Sequence, residues 1–85
     1  MSGEKKQHIS RMFQSVALEL FNKRIESFSA NVFAHKGVGI STIAHRLDKV
    51  YKLPITWVRM NSAQHKRTYR VEDLIAAMKR EGDWG

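Results

Sequence analysis

The sequence predicts an α+β fold that is mainly helical: a three-helix core, a two-stranded β-hairpin and a short C-terminal helix, in one domain of 85 residues. Three observations predict it. Apolar residues recur at the three-and-four spacing of a helix over residues 9–21 and again over 43–51. The stretches LPITWVRM and TYRVE alternate instead and are rich in β-branched and aromatic residues, with the polar run NSAQHKR between them. The chain is also too short for a second core and shows no internal repeat, low-complexity tract or linker. The expected core spans about residues 9–80, with 1–4 and 82–85 as loose ends.

The first helix is expected over about residues 5–22. Ile9, Met12, Phe13, Val16, Ala17, Leu20 and Phe21 form its apolar stripe, and Arg11, Gln14, Ser15, Glu19 and Asn22 its wet side. Leu18 lies off the stripe, where it is available to a partner. Ile25 to Phe28 reads as a brief strand. Ser27 or Ser29 then caps a short second helix that buries Val32 and Phe33, and Gly37 supplies the left-handed residue that ends it. Val38 and Ile40 are expected to plug the core, with Gly39 permitting a sharp change of direction.

The third helix starts at Ser41, a good N-cap, and runs over 41–53. At 100° per residue Ile43, Ala44, Leu47, Val50 and Tyr51 face the core, while Thr42, His45, Arg46, Lys49 and Lys52 make the opposite side almost purely basic, with Asp48 at the margin. In the hairpin Pro54 enters the first strand, and Ile55, Trp57, Tyr69 and Val71 are expected to pack on the helices. Arg59 and Arg70 point outward, and His65, Lys66 and Arg67 lie at or near the tip. Asp73 caps the last helix, to about Arg80, with Leu74, Ile75 and Met78 on its buried side.

Charge narrows the function. The formal net charge is +7, and residues 41–71 carry +6 of it, against +3 for 1–40 and −2 for 72–85. An excess gathered in one third of the chain is what a face that meets a polyanion such as nucleic acid requires. With no cysteine there is neither a disulfide framework nor a thiolate zinc site, so stability rests on packing or oligomerisation. The N-terminus MSGEKKQHISRMF has no apolar run of signal-peptide length, and no stretch approaches the roughly 20 apolar residues of a membrane span. A cytoplasmic location is expected.

The segment GVGIST invites a phosphate-loop reading but lacks the G-x-x-x-x-G-K-[ST] pattern. It carries two of the three dinucleotide glycines, after a helix rather than a strand. It reads better as a turn between helices, whose second helix offers N–H groups at Ser41 and Thr42 to a DNA phosphate. The four histidines His8, His35, His45 and His65 lack the short spacings of a zinc site and read as surface residues. Ser41 and His45 are four apart, yet no third residue orients the imidazole, so hydrolase chemistry is not expected.

Taken together, GISTIAHRLDKVYKLPITWVRM followed by RTYRV resembles the winged helix-turn-helix DNA-binding domains. It is closer still to the small transcriptional regulators of phages and bacterial mobile elements, over about residues 9–73. Leu53 stands where many such sequences have glycine, and the turn at 37–40 has one glycine more than the tightest pattern. The resemblance implies sequence-specific binding of double-stranded DNA in the nucleoid, with helix 41–53 in the major groove and wing 59–70 on the backbone. It assigns contacts to Ser41, Thr42, His45, Arg46, Lys49, Lys52, Lys66 and Arg67, and the outward cations Arg59, His65 and Arg70 complete the set. Arg46 is placed mid-face to take a guanine edge with two parallel hydrogen bonds, whereas Lys66 and Arg67 suit phosphates. A second copy of the chain is the other expected partner, with Leu18 or the tail at Trp84 as the seam. No enzyme activity, cofactor, metal, membrane or small-molecule substrate is expected. Two other uses of the same scaffold remain open: docking on a protein of host machinery, and RNA binding.

Overall fold

The computed structural model describes residues 2–34, 36–61 and 63–85, and of residues 2–7 the backbone alone; Met1, Ser62 and His35, the last expected at the surface, lie outside the described residues. The elements in order are α1 (Ser2–Asn22), β1 (Ser27–Phe28), a 3-10 turn (Ala30–Phe33), α2 (Ile40–His45) continuing directly into a π-helical segment (Arg46–Val50), β2 (Thr56–Arg59), β3 (His65–Arg70) and α3 (Val71–Arg80). The three strands form one antiparallel sheet in the order β1-β3-β2. The fold is thus α+β and mainly helical.

Met12, Phe13, Val16, Ala17 and Leu20 bury one side of α1 as their spacing predicts, but Phe21 stays 63% exposed. The cause is the way the helix stops. Ile25 N–H reaches back to Leu20 O at 2.9 Å and Arg24 N–H to Phe21 O at 3.0 Å, with Arg24 at φ 60°, the left-handed closure usually given to glycine. The chain turns away there and leaves nothing over Phe21.

The second expected helix is only the 3-10 turn. Ser29 has the extended backbone of an N-cap without a side-chain capping bond, and Val32 N–H bonds Ser29 O at 3.1 Å. Gly37 takes φ 77°, as expected of a left-handed stop. Gly39 does not need its freedom: at φ −62° it serves as N-cap of α2 in place of Ser41. Val38 packs against the core, whereas Ile40 is 56% exposed on the first turn of α2 rather than plugging it.

Five rings run through the centre. Tyr69 meets Phe28 at 5.7 Å, Phe28 meets Phe33 at 6.0 Å, Phe33 meets Phe13 at 4.5 Å and Phe13 meets Tyr51 at 5.7 Å between centroids. Each contact is tilted or edge-on, the arrangement that ring quadrupoles favour. Ile43, Leu47, Leu53, Val71, Leu74, Ala77 and Met78 close around them.

β3 pairs with both neighbours, Phe28 opposite Tyr69 and Trp57 opposite Arg67. Tyr69 and Val71 are buried as expected, but Ile55 and Trp57 are 37% and 59% exposed, Trp57 in β2 at an outer edge of the sheet and Ile55 just before it. α3 begins at Val71, ahead of the expected cap at Asp73, which falls in its first turn beside Glu72, where carboxylates suit the helix dipole. Val71 N–H bonds Glu26 O at 2.9 Å, so the sheet ladder satisfies the first amide of the helix. At the other end Gly82, φ 77°, closes α3, and Asp83 N–H bonds Met78 O at 2.8 Å.

The tail after α3 is not loose. Trp84 packs on the core under Lys79 Nζ, 5.8 Å from its ring, and Gly85 N–H donates to Gln14 Oε1 at 3.2 Å. The closure at Gly82 reverses the chain and so presses these residues against α1. No helix among the described residues is long and apolar enough to cross a membrane.

Candidate nucleic-acid interface

The π-helical segment decides which basic residues are available. In an α-helix residues 46 and 51 would project about 140° apart. Here Tyr51 N–H bonds Arg46 O at 2.8 Å, five residues back, and the wider turn brings the two side chains together. Arg46 Nη1 donates to Tyr51 Oη at 3.2 Å, to Ser10 Oγ at 3.3 Å and to Asp83 Oδ2 at 3.4 Å. Tyr51 Oη in turn donates to Asp83 Oδ2 at 2.7 Å. Arg46 is 8% exposed. Its expected place on the outer basic face is therefore corrected: it is an inward residue that joins helix, tail and α1. Burial, and then the bond to Asp83, push the Tyr51 hydroxyl up to about 12.

The outer side of the same helix keeps Ser41, Thr42, His45, Lys49 and Lys52, all exposed. Thr42 N–H is not open to a phosphate, since it bonds Gly39 O at 3.1 Å. Lys52 takes φ 51° as the left-handed residue after the helix, and Leu53 N–H returns to Leu47 O at 3.0 Å. The left-handed place falls on Lys52 and not on Leu53, which needs no glycine and is buried, 6% exposed, against the core.

Asp48 joins this helix to the hairpin. Arg67 Nη2 donates to Asp48 Oδ2 at 2.9 Å and Tyr69 Oη to Asp48 Oδ1 at 2.9 Å. Burial, with Asp48 second, raises the Tyr69 hydroxyl above its ordinary value. The carboxylate thus occupies one cation expected to be free, and it holds the hairpin against the helix.

His65, Lys66 and Arg67 lie within β3 rather than at the tip. At the tip Asn61 Oδ1 accepts from Ala63 N–H at 2.9 Å and Gln64 N–H at 3.0 Å, an Asx-type closure. The register sets Trp57, Arg59, His65, Arg67 and Tyr69 on one face of the hairpin, and Thr56, Val58, Lys66, Thr68 and Arg70 on the other. The first face is the one anchored to Asp48, so Arg59, His65 and Arg67 join the helix cations. Arg70 does not: its Nε pairs with Glu72 at 2.9 Å beside β1, across the sheet from β2.

Sequence reasoning missed the bonds from Arg67 and Tyr69 to Asp48 that anchor the hairpin to the helix. Trp57 and Tyr69 each lie two positions along their own strand from an arginine and look alike in a strand pattern, and only the strand order tells that Tyr69 is central and Trp57 at the edge. Among the described residues no group of three His, Asp or Glu side chains gathers as a metal site. No protein-family model, curated protein or solved structure matches the chain.

Proposed function

We propose that the chain is a winged helix-turn-helix protein that binds double-stranded DNA sequence-specifically, as a small transcriptional regulator. The observation that carries this reading is the Asp48 junction, which holds the cationic side of the helix and the cationic face of the hairpin as one surface. A helix fits the major groove, and the hairpin then lies along the neighbouring backbone. With Arg46 turned inward, base contacts fall to Thr42, His45 and Lys49, and phosphate contacts to Ser41, Lys52, Arg59 and His65, while Lys66 lies on the far face of the hairpin.

Two copies pair through the opposite edge of the molecule. Phe21, Leu18 and Ile25 are exposed there beside a cleft lined by Arg24, Glu26, Arg70 and Glu72. The patch presents a projecting ring, a recess and both signs of charge, which a two-fold interface needs from one surface. It adjoins β1 and leaves β2 free.

Mobility shift on duplex DNA, single strands and structured RNA tests the reading. Duplex should bind best, and log affinity should fall against log salt with a slope of roughly 0.9 per neutralised phosphate. A flat salt dependence, or equal binding to all three polymers, overturns it. Sedimentation checks the pairing: Phe21→Glu should give monomers that keep half-site binding, and a wild-type chain that is monomeric alone and on DNA refutes the pairing.

A further inference from the structure

β2 is the open edge of the sheet, and it is apolar on both faces: Trp57 and Met60 are each 59% exposed and Val58 42%. Large apolar side chains left open along a sheet edge mark a surface that a partner covers. The charge around it says what. Between Asp48 and Glu72 the sequence has no carboxylate, while it has six lysines and arginines. The two carboxylates that bound this stretch, Asp48 and Glu72, are already paired with Arg67 and Arg70, so a second copy laid along this edge would set Arg59 and Lys66 against their own kind. The cover is therefore a polyanion that also offers apolar faces, which describes a nucleic acid.

Trp57 shares its face of the hairpin with Arg59, His65 and Arg67. Arg67, directly opposite the indole, is held by Asp48, while Arg59, next on the same face of its own strand, is left to meet a phosphate beside a base stacked on the ring. In an intact duplex every base face is covered by its neighbours, so the ring gains a stacking partner only where the stack is opened. We infer that Trp57 is a stacking platform for an unpaired nucleobase, and that the chain prefers DNA in which such a base lies beside the duplex held by the helix. This rests on the duplex-binding reading above and adds to it a choice of substrate.

The test uses the full chain carrying Trp84→Phe, which leaves Trp57 as the only tryptophan. Its fluorescence is titrated with an intact duplex, the same duplex bearing a one-base bulge, and inorganic polyphosphate. The bulged duplex should quench Trp57 and bind about tenfold tighter than the intact one, while polyphosphate leaves the emission nearly unchanged. Trp57→Ala should abolish the tenfold preference and keep binding to the intact duplex; Trp57→Phe should keep most of the preference. Trp57 is mostly exposed, so thermal unfolding of both variants should match the parent. Equal affinity for bulged and intact duplex, or a preference that survives Trp57→Ala, overturns the stacking role alone. Failure to bind any DNA overturns the duplex-binding reading with it.

Discussion

The guanidinium of Arg46 lies 3.4 Å from the carboxylate of Asp83, both nearly closed to solvent, so the middle of the basic helix is tied to the tail of the chain. Arg46→Ala is expected to act on stability before it acts on DNA. It leaves Asp83 with the Tyr51 hydroxyl as its remaining partner in this network and should cost about 3 kcal/mol, with Asp83→Asn costing less. Urea unfolding of both single variants and the double variant measures the coupling. A loss of affinity at unchanged stability in Arg46→Ala would return that residue to the DNA surface.

High pH should find the same network. The folded chain holds the Tyr51 proton to about 12, whereas the unfolded chain releases it near the ordinary value of 10.0. The unfolded state thus loses a proton first as pH rises. The stabilisation is complete below about 10 and falls by about 1.4 kcal/mol per pH unit between 10 and 12. Tyr51→Phe should remove most of that slope. Denaturant midpoints collected across this window, for both chains, check it.

Asp48 sets two effects against each other. Asp48→Asn removes a negative charge from a cationic surface, which by itself tightens binding to any polyanion. It also loosens the hairpin by weakening the bonds from Arg67 and Tyr69. Affinity for random duplex should therefore rise severalfold while the ratio of cognate to random binding falls. Competition binding on both duplexes separates the terms, and an unchanged ratio would mean that the junction does not position the hairpin for recognition.

Lys52 and Arg24 occupy left-handed backbone, φ 51° and φ 60°, that glycine adopts without strain. Lys52→Gly and Arg24→Gly should each stabilise the fold by roughly 0.5–1 kcal/mol. On a half-site duplex that binds one copy, only Lys52→Gly should lower the salt slope by about one unit. Thermal melts and salt titrations of the pair check this; equal slopes for the two variants would remove Lys52 from the contact set.

Much of the frame was legible in the chain. Met12, Phe13, Val16, Ala17 and Leu20 named the buried side of α1 because helical spacing alone fixes which residues share a side. Tyr69 and Val71 were legible as buried by their alternation, though Val71 opens α3 rather than ending the strand. Arg46 was not legible, because the sequence carries no mark of the π turn: a 100° wheel sets Arg46 beside Lys49, and one added residue in the turn swings it inward. Trp57 was misplaced for a different reason. Alternation tells which residues share a face, but burial depends on whether another layer covers the strand, and that is settled by strand order. The tail was expected loose because its last residues have no period; Asp83 is held by Arg46 and Tyr51, far away in sequence, and Trp84 packs on the core.

The chain of five rings also governs how the molecule assembles. Phe13, Phe28, Phe33, Tyr51 and Tyr69 come from α1, β1, the 3-10 turn, the end of the basic helix and β3, and no two adjacent rings in that chain belong to the same element. No fragment ending before β3 contains a complete core, so the helices have no partly folded state to rest in while the hairpin is undocked. Folding and unfolding are then a single cooperative event, paced by the closure that brings residue 69 to residue 28.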